Sequence, residues 1–367
     1  MRILIGAGGT GGHVYPALAT ARALLADGNS EHQLFFVGAV GGMERKLVQE
    51  SGIPFAAYHE VRAGPLHGVD LFTVVSSAAK LSLGTLQALN RLRNLRPGVA
   101  LLTGGWANLP IALGARMLGI PIVIFLPDIE PGLTIKVLQR FAARIATTVG
   151  ESAEYFPAGR SVVTGYPLQG NRLQATREEA IARFKLNPPD KTVLVFGGSR
   201  GARSINIALG NCLPRLLDEG LQIIHITGDF DWERSMSQVE AHRRHPRYRP
   251  FPYLHEDMGL AFAAADLAVC RAGASTLAEL PLFALPAILV PYPYAWRYQS
   301  VNADYLVDRG AALRLNDEDM ASSLFDAIIS LVRDDSRLAE MRANSGTLAN
   351  AEGARRLADL LIEVGGA

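Results

Sequence analysis

A histidine follows a run of glycines near the start of the chain. The residues Gly6-Ala7-Gly8-Gly9-Thr10-Gly11 fit the pattern G-x-G-x-x-G, and Gly12 and His13 come next. Backbone without side chains lets a ligand approach closely, and the N-terminus of a following helix carries partial positive charge. Because histidine exchanges a proton near neutral pH, we predict an anion-binding loop with His13 as a candidate catalytic base. The alternatives are a turn needed only for packing and a histidine that only hydrogen-bonds the loop.

Two further segments carry groups that bind phosphates or hydroxyls. The turn Gly197-Gly198-Ser199-Arg200-Gly201 offers backbone N–H groups and the Ser199 hydroxyl to a diphosphate, with a packing turn as the alternative. The segment Arg271–Glu279 ends in a carboxylate about one turn inside a predicted helix. Ser275 and Glu279 miss the spacing of a capping box, so we expect Glu279 to accept hydrogen bonds from ribose hydroxyls.

Each of these segments lies between a predicted strand and a predicted helix. Apolar runs predict strands at 2–5, 33–37, 101–102, 122–125, 143–149, 192–196, 221–226, 267–270 and 287–290. The glycine run 6–12 is expected to hold no regular element, the next helix to span 16–25, and residues 336–364 to be helical. Strands that alternate with helices predict a parallel sheet covered on both faces.

The succession of strand, glycine turn and helix occurs twice, at Gly6 and again at Gly197. The simplest architecture is α/β, with two doubly wound parallel-sheet domains that face each other across a cleft. Ligands of such sheets bind at the carboxyl ends of the strands, so both turns would face the cleft. The turn-rich residues 157–160 and 165–167 are predicted to belong to a linker between the two domains.

The composition limits the class of protein. The 367 residues suffice for two domains, and 49% apolar against 19% charged residues excludes a disordered chain. A net charge of +1 argues against nucleic-acid binding, and the two cysteines, Cys212 and Cys270, fit a reducing compartment. The long uncharged stretches contain glycines or prolines, so we expect a soluble chain without a membrane span.

Other chemistries have weaker support in the residues. A dinucleotide site needs an acid at the end of the second strand, but Gly38 follows that strand and the next acid is Glu44. Asp229-Phe230-Asp231 has the D-x-D spacing of some metal sites, yet polar residues are expected in such a loop. His242 and His245 lack the further ligands of a zinc site. We therefore expect neither a metal nor a cofactor.

Three blocks of the sequence carry a resemblance to a known family. They are GAGGTGGHVYPALA at 6–19, GGSRGARSIN at 197–206 and CRAGASTLAEL at 270–280. Together they resemble the signature blocks of the MurG family, within glycosyltransferase family 28. The resemblance implies the GT-B fold, with two Rossmann-like domains facing a cleft. It also implies the inverting transfer of N-acetylglucosamine from UDP-N-acetylglucosamine to undecaprenyl-pyrophosphoryl-N-acetylmuramyl-pentapeptide in peptidoglycan synthesis.

The resemblance implies a role for each domain. Residues 1–160, with a C-terminal helix at about 345–367, would bind the lipid acceptor, and residues 161–344 would bind the UDP sugar. The enzyme would act as a peripheral protein at the cytoplasmic face of the bacterial membrane, in a pathway that supports cell shape and division. The candidate docking surface is Pro65–Leu95, through Leu66, Leu71, Phe72 and Val75 and the basic Lys80, Arg91 and Arg93.

The resemblance also assigns site residues, with His13 as the base. The residues beside the donor would be Gly198, Ser199, Gly201, His255, Arg271, Gly273, Ala274, Ser275, Thr276, Glu279, Gln299 and Asn302. The residues of the acceptor or diphosphate loops would be Thr10, Gly11, Gly12, Trp106 and Asp128. Within the donor set, Ser199 and its turn would hold the diphosphate and Glu279 the ribose. The backbone near His255 would read uracil, and Gln299 and Asn302 would face the sugar.

The sequence departs from the family pattern at three places. Phe125–Asp128 replaces the usual His-Glu-Gln-Asn, and Tyr166–Gln169 replaces Asn-Pro-Val-Arg, so that an arginine is lost at Gln169. Trp296–Tyr298 replaces a segment that normally has two polar residues. Two alternatives therefore stay open: a related GT-B glycosyltransferase with another sugar donor or acceptor, and a UDP-sugar-binding homologue without catalysis.

Overall fold

The computed structural model describes residues 1–26, 32–64, 70–170, 175–198, 201–294 and 297–366, with the backbone alone at 71–75. Contacts between Cα atoms divide the chain into two compact units. Unit 1 comprises Met1–Gln169 and Glu352–Ala367, and unit 2 comprises Gly170–Ala351. The domain ranges predicted from the sequence are 1–160 with about 345–367, and 161–344, and each of them is assigned a ligand. Which unit binds which ligand stays a prediction.

Unit 1 is built on a parallel sheet. Its strands are β1 (Arg2–Gly6), β2 (Gln33–Ala39), β3 (Ala57–Val61), β4 (Val99–Leu102), β5 (Ile122–Leu126), β6 (Arg144–Thr147) and β7 (Ser161–Val163). In the described residues the strands have the order β3-β2-β1-β4-β5-β6-β7. The central strands β1, β4 and β5 are buried almost throughout, because helices cover both faces, and this explains their continuous apolar runs.

The helices of the first part of unit 1 connect these strands. They are α1 (Gly11–Ala26), α2 (Glu44–Glu50), α3 (Leu71–Leu95), α4 (Asn108–Met117) and α5 (Leu133–Leu138). The long helix α3 packs along α4. A 3-10 helix, Gly150–Tyr155, lies between β6 and β7.

Unit 2 holds a second parallel sheet. Its strands are β8 (Thr192–Phe196), β9 (Gln222–Ile226), β10 (Tyr248–Phe251), β11 (Leu267–Cys270), β12 (Ala287–Leu289) and β13 (Ala312–Arg314). Their order among the described residues is β10-β9-β8-β11-β12-β13. The helices are α6 (Arg177–Phe184), α7 (Arg203–Asp218), α8 (Trp232–Gln238), α9 (Met258–Ala264), α10 (Thr276–Leu282), α11 (Tyr298–Val307), α12 (Met320–Val332) and α13 (Asp335–Thr347). The apolar faces of α7 and α12 pack together in one core.

The C-terminal segment is not one continuous helix. After α13 ends at Thr347, a new helix, α14 (Gly353–Gly366), belongs to unit 1 and packs on α1 and β4. The prediction that residues 336–364 are helical is therefore correct, but the segment forms two helices and not one. The break coincides with the passage from unit 2 to unit 1, after Ala351.

Two other predictions of local structure are wrong in part. The middle of the predicted linker, Ser161–Val163, forms β7, which pairs with β6 at the edge of the first sheet. The glycine run is irregular only as far as Thr10, because the Thr10 carbonyl oxygen accepts the N–H groups of His13 and Val14 and so closes the first turn of α1. The predicted strands Thr192–Phe196 and Leu267–Cys270 are confirmed with both ends in place.

Three long stretches without a charged residue contribute to the interior of the two units. They lie between Arg2 and Arg22, between Arg96 and Arg116, and between Glu279 and Arg297. They contain the strands β1, β4 and β12, whose residues are buried with the exception of Arg2. Within the ranges that the structure describes, no helix combines the length and the apolar character needed to cross a membrane.

Candidate active site

The carboxyl ends of three neighbouring strands bring the predicted acceptor-side residues of unit 1 together. β1 leads into the glycine loop, β4 into Thr103–Asn108, and β5 into Asp128. Because β1, β4 and β5 are adjacent in the sheet, these segments lie side by side at one edge. Thr10 and Gly12 are exposed, Gly11 is buried, and His13, Trp106 and Asp128 are half-buried.

His13 lies in the first turn of α1, and the glycine loop itself orients its ring. The Nδ1 atom is 3.0 Å from the carbonyl oxygen of Gly8. Since a carbonyl oxygen only accepts, Nδ1 carries the proton in this hydrogen bond. In a neutral imidazole the lone pair then resides on Nε2, which is the form that a general base requires.

Two glycines after β4 leave room for this ring. Gly104 and Gly105 have φ angles of +124° and +90°. A Cβ atom on Gly104 would lie 2.8 Å from His13 Nε2, and one on Gly105 would collide with the carbonyl oxygen of Gly8. Asn108 fixes the segment, because its Nδ2 donates to the Gly104 carbonyl oxygen at 2.7 Å. Both positions therefore require glycine for conformation and for space.

A proline inside α1 leaves the Gly12 carbonyl oxygen without its usual helical donor, and a residue that departs from the family pattern donates to it. Pro16 has no N–H, so it cannot donate to the carbonyl oxygen of Gly12. The Tyr166 hydroxyl donates to that oxygen instead, at 3.5 Å. The Tyr166 ring also meets Phe125 edge-on, with 5.8 Å between the ring centroids. Phe125 and Tyr166, which both differ from the family pattern, thus pack together next to α1.

A buried carboxylate, Glu44, lies beside the glycine loop. It is fully buried, and its Oε1 accepts a hydrogen bond from the N–H of Ala39 at 2.6 Å. Its Oε1 would lie 3.1 Å from a Cβ atom on Gly8, so the carboxylate borders the loop. The sequence predicts no acid at the end of β2. Glu44, the first residue of α2, nevertheless places its carboxylate at Ala39, the last residue of that strand. Its burial withholds its oxygens from a ribose, so we assign Glu44 to supporting the loop.

In unit 2, the predicted donor-side residues follow the carboxyl ends of β8, β10, β11 and β12. Gly198 and Gly201 form a tight turn after β8, in which the N–H of Gly201 donates to the Gly198 carbonyl oxygen at 2.9 Å. Their φ angles are +88° and +75°. Helix α7 then begins at Arg203 without a side-chain cap, which leaves its first N–H groups available to an anion. Ser199 and Arg200 lie outside the described residues.

The segment after β11 holds the predicted ribose contact. Thr276 Oγ1 donates to the carbonyl oxygen of Gly273 at 2.5 Å and closes the turn before α10. Glu279 is 7% exposed and lies inside α10, whereas Gly273, Ala274 and Ser275 are partly exposed. Burial raises the pKa of the Cys270 thiol, and the Glu279 carboxylate raises it further. Cys270 is therefore held as a neutral thiol and is not suited to be a nucleophile.

Three residues predicted to contact the donor bind the protein itself. Arg271 is buried and donates to the carbonyl oxygen of Val290 at 3.1 Å and to Asp317. Gln299 Oε1 accepts the N–H of Tyr292 at 2.9 Å. Asn302 is fully buried and donates to the Ala272 carbonyl oxygen at 3.1 Å. Their roles toward the donor stay predictions, and Asp317 is a residue that the sequence motifs did not reveal.

His255, Trp296 and Tyr298 are further residues of unit 2 that the sequence analysis named. His255 is exposed after the edge strand β10, and its ring lies 4.6 Å from that of Tyr253, measured between centroids. Trp296 lies outside the described residues, and Tyr298 begins α11. Among the residues whose positions are described, no cluster of three or more His, Cys, Asp or Glu side chains could hold a metal ion.

Family models match most of this chain. The glycosyltransferase family 28 N-terminal domain matches residues 3–147, and the family's C-terminal domain matches residues 192–361. The chain belongs to glycosyltransferase family 28. Its assignment to family 28 is consistent with the three sequence blocks, since the first lies in the N-terminal match and the other two in the C-terminal match.

Two relatives of this family 28 chain carry the same name. Proteins of Roseiflexus sp. strain RS-1 and Desulforamulus reducens are 38% and 37% identical to it. The matches cover 98% and 96% of this chain and 94% and 95% of the relatives. Both relatives are named UDP-N-acetylglucosamine--N-acetylmuramyl-(pentapeptide) pyrophosphoryl-undecaprenol N-acetylglucosamine transferase.

A solved structure supports the same placement within family 28. The crystal structure of MurG from Acinetobacter baumannii aligns with a TM-score of 0.78 at 27% identity, over 99% of each chain. The resemblance to the MurG family and the predicted GT-B fold are thereby confirmed. Because the N-terminal family 28 match includes the glycine loop, a dinucleotide site is not needed to explain that loop.

Proposed function

We propose that this chain transfers N-acetylglucosamine from UDP-N-acetylglucosamine to undecaprenyl-pyrophosphoryl-N-acetylmuramyl-pentapeptide, with inversion at the anomeric carbon. The reaction belongs to peptidoglycan synthesis and so supports cell shape and division. The observation that carries the proposal is the match, over nearly the whole chain, to relatives named for this transfer. The uncapped start of α7 and the ring of His13 supply the chemical groups that the reaction needs.

The two units have different tasks in this proposal. Unit 1 binds the lipid-linked acceptor at the edge formed by the glycine loop, Trp106 and Asp128. Unit 2 binds the UDP sugar at the ends of β8, β10, β11 and β12. The support is the separation of the two glycine turns, one in each unit, together with the order of the sequence blocks.

His13 is the catalytic base of the proposed mechanism. Its Nε2 takes the proton of the acceptor hydroxyl while the hydroxyl oxygen attacks the anomeric carbon. The bond between that carbon and the diphosphate oxygen breaks, and its electron pair leaves with UDP. The proton stays on the imidazole, whose Nδ1–H continues to donate to the Gly8 carbonyl oxygen.

Peptide groups stabilise the leaving diphosphate. The first turn of α7 presents N–H groups and the positive end of a helix dipole, and the family motif adds the glycine turn before it. Ser199 adds a hydroxyl by family motif. Glu279 accepts hydrogen bonds from the ribose, the backbone at His255 reads the uracil, and Gln299 lies toward the sugar. Asn302, which is fully buried, acts on the sugar side by holding the Ala272 carbonyl oxygen.

Transfer to a lipid acceptor tests this function directly. The full chain is incubated with labelled UDP-N-acetylglucosamine and a lipid I analogue, in parallel with UDP-galactose and UDP-glucose. We expect transfer from the first donor alone. Transfer from another donor would favour the related glycosyltransferase, and UDP binding without turnover would favour the non-catalytic homologue that the departures at Phe125–Asp128 and Trp296–Tyr298 suggest.

Two substitutions separate the base from the donor site. His13→Ala should lower kcat by about 100-fold or more and leave the dissociation constant of UDP unchanged. Glu279→Ala should weaken UDP binding by about tenfold, because a charged acceptor for the ribose hydroxyls is lost. Normal turnover by His13→Ala would remove the base assignment, and unchanged UDP binding by Glu279→Ala would remove the ribose assignment.

We also propose that the protein docks peripherally at the cytoplasmic face of the membrane through α3. Leu83 and Leu86 are 47% and 64% exposed and are spaced to share one face of this helix. Lys80, Arg91 and Arg93 are exposed on the same helix. The other predicted docking residues lie outside the described side chains, namely Leu66, Leu71, Phe72 and Val75. Apolar residues flanked by cations favour attachment to an anionic lipid surface.

A further inference from the structure

Three polar side chains of unit 2 form a closed ring of hydrogen bonds at the start of α7. Arg271 Nη2 donates to Ser204 Oγ at 2.7 Å, and Ser204 Oγ donates to Asp317 Oδ1 at 2.7 Å. Arg271 Nη1 donates to the same carboxylate oxygen. The ring joins the first turn of α7, the segment after β11, and the 3-10 turn Asp317–Asp319 that follows β13.

The guanidinium of Arg271 is directed into unit 2 by this ring. Its Nη1 also donates to the carbonyl oxygen of Val290 at 3.1 Å, at the end of β12. Its central carbon lies 5.2 Å from the ring centroid of Tyr292, within the range of a cation–π contact. The side chain of Arg271 is only 10% exposed and that of Asp317 is 23% exposed, so the ion pair is largely removed from water.

We propose that Asp317 is a positioning residue for the donor site, an inference that rests on the proposed function. The carboxylate holds Ser204 and Arg271 at once. It thereby sets the start of α7, whose N–H groups face the diphosphate, against the segment that leads to Glu279. Arg271 serves in this arrangement as a tether between the two segments and does not contact the diphosphate.

The effect of neutralising Asp317 on donor binding distinguishes this positioning role from direct binding of the diphosphate by Arg271. If Arg271 bound the diphosphate, Asp317 would compete with the ligand for the guanidinium, and its neutralisation would leave donor binding equal or stronger. If Asp317 positions the site, its neutralisation leaves a buried cation without its partner and loosens both segments. Donor binding must then become weaker.

The test uses the full chain with UDP as the probe in calorimetric titration. We expect Asp317→Asn to raise the dissociation constant of UDP by about tenfold. The KM for UDP-N-acetylglucosamine should rise in step, while the KM for a lipid I analogue stays unchanged. Asp319→Asn is the matched control, since Asp319 lies on the same 3-10 turn, is exposed and accepts a hydrogen bond from Asn316 instead.

Substitutions at Ser204 keep the test decisive if Asp317→Asn folds poorly. Ser204→Ala should weaken UDP binding and Ser204→Thr, which keeps a hydroxyl, should restore it. The double variant with Asp317→Asn should bind no more weakly than the worse single variant, because both break one ring. Equal or tighter UDP binding by Asp317→Asn, or by Ser204→Ala, overturns the positioning role. A wild-type chain that binds no UDP would instead overturn the proposed function.

Discussion

At His13 the backbone determines what the side chain can do. The Gly8 carbonyl oxygen accepts a hydrogen bond from Nδ1–H, and the absent Cβ atom of Gly104 leaves the space beside Nε2 open. The residue type and its place after a glycine run are readable from the sequence. The tautomer and the open space beside Nε2 are not, because the first depends on a carbonyl oxygen five residues earlier and the second on a glycine after a different strand.

Gly104→Ala should therefore damage the base without touching the donor site. The new Cβ atom would lie 2.8 Å from Nε2 and 2.7 Å from Cδ2 of His13, so the ring must move. We expect kcat to fall by about 100-fold, which is within the usual contribution of a general base, and the dissociation constant of UDP to stay unchanged. Steady-state kinetics and UDP titration measure the two quantities.

Gly119→Ala is the control for backbone strain. Gly119 has a φ angle of +71° in the connection from α4 to β5, and a Cβ atom there would meet no heavy atom of the described residues within 4 Å. This variant should lose stability by about 1 kcal/mol and keep its kcat. A kcat loss of equal size in both variants would show that strain, and not the His13 ring, explains the effect.

Among the elements of unit 2, a buried histidine connects β9 with β10 and α7. His225 Nε2 is 3.0 Å from Asn206 Oδ1, and His225 Nδ1 is 2.8 Å from the Tyr248 hydroxyl. Asn206 Nδ2 donates to the carbonyl oxygen of Thr227 at 2.9 Å, so its Oδ1 is the acceptor for Nε2–H. Burial raises the pKa of Tyr248, which therefore stays protonated and donates to Nδ1. A second proton on the ring would require the Tyr248 hydroxyl to accept at Nδ1 and not donate, so the network as arranged favours the neutral imidazole.

Acid should destabilise the folded chain through His225. Burial lowers the pKa of His225 from 6.5 to about 3, so the unfolded chain binds a proton between these values that the folded chain does not. The contribution is complete above pH 6.5 and is lost as the pH falls, by about 1.4 kcal/mol per pH unit. Urea unfolding of the wild type and of His225→Gln at pH 7, 6 and 5 should show a shallower pH dependence in the variant. His255→Gln, which removes an exposed histidine, should keep the wild-type slope, and a wild-type slope in His225→Gln would contradict the assignment.

The elements that face the diphosphate lead to a prediction about metals. The proposed stabilising groups are the peptide N–H groups of the uncapped first turn of α7. Such groups need no divalent ion, so we expect the initial rate of transfer to be the same in EDTA and in Mg²⁺. A rate that disappears in EDTA and returns with Mg²⁺ would show that a metal shares the task.

The elements also show how far sequence reasoning reaches. Thr192–Phe196 and Leu267–Cys270 are central strands whose apolar runs identify them, and the turns after them lie where predicted. β7 has three residues and half-exposed side chains, so its pairing with β6 and not its pattern makes it a strand. The ion pair between Arg271 and Asp317 depends on the order β8-β11-β12-β13, which brings distant segments to one edge. No local spacing contains that information.

At the scale of the whole molecule, the chain has many apolar and few charged residues, and the structure shows where the apolar residues lie. Most of the apolar surplus fills two parallel sheets and the helices that cover them. A smaller part remains exposed, including Leu83 and Leu86 on α3 of unit 1 and Phe230, which is 83% exposed, in unit 2. The net charge of +1 offers little general attraction to an anionic membrane. We therefore expect the proposed docking to depend mainly on apolar contact.

Vesicle binding should accordingly withstand salt. At 0.5 M NaCl the Debye length is only about 4 Å, so attraction between exposed charges is largely screened while apolar contact is not. We expect the full chain to co-sediment with vesicles of phosphatidylglycerol and phosphatidylethanolamine at both 0.05 M and 0.5 M NaCl. The double variant Leu83→Ser and Leu86→Ser should bind about tenfold more weakly, because two apolar side chains lose their burial in the lipid. Phe230→Ser removes a more exposed apolar side chain from unit 2 and should bind as the wild type does. Binding that collapses in 0.5 M NaCl, or that survives the double substitution unchanged, would rule out apolar docking by α3.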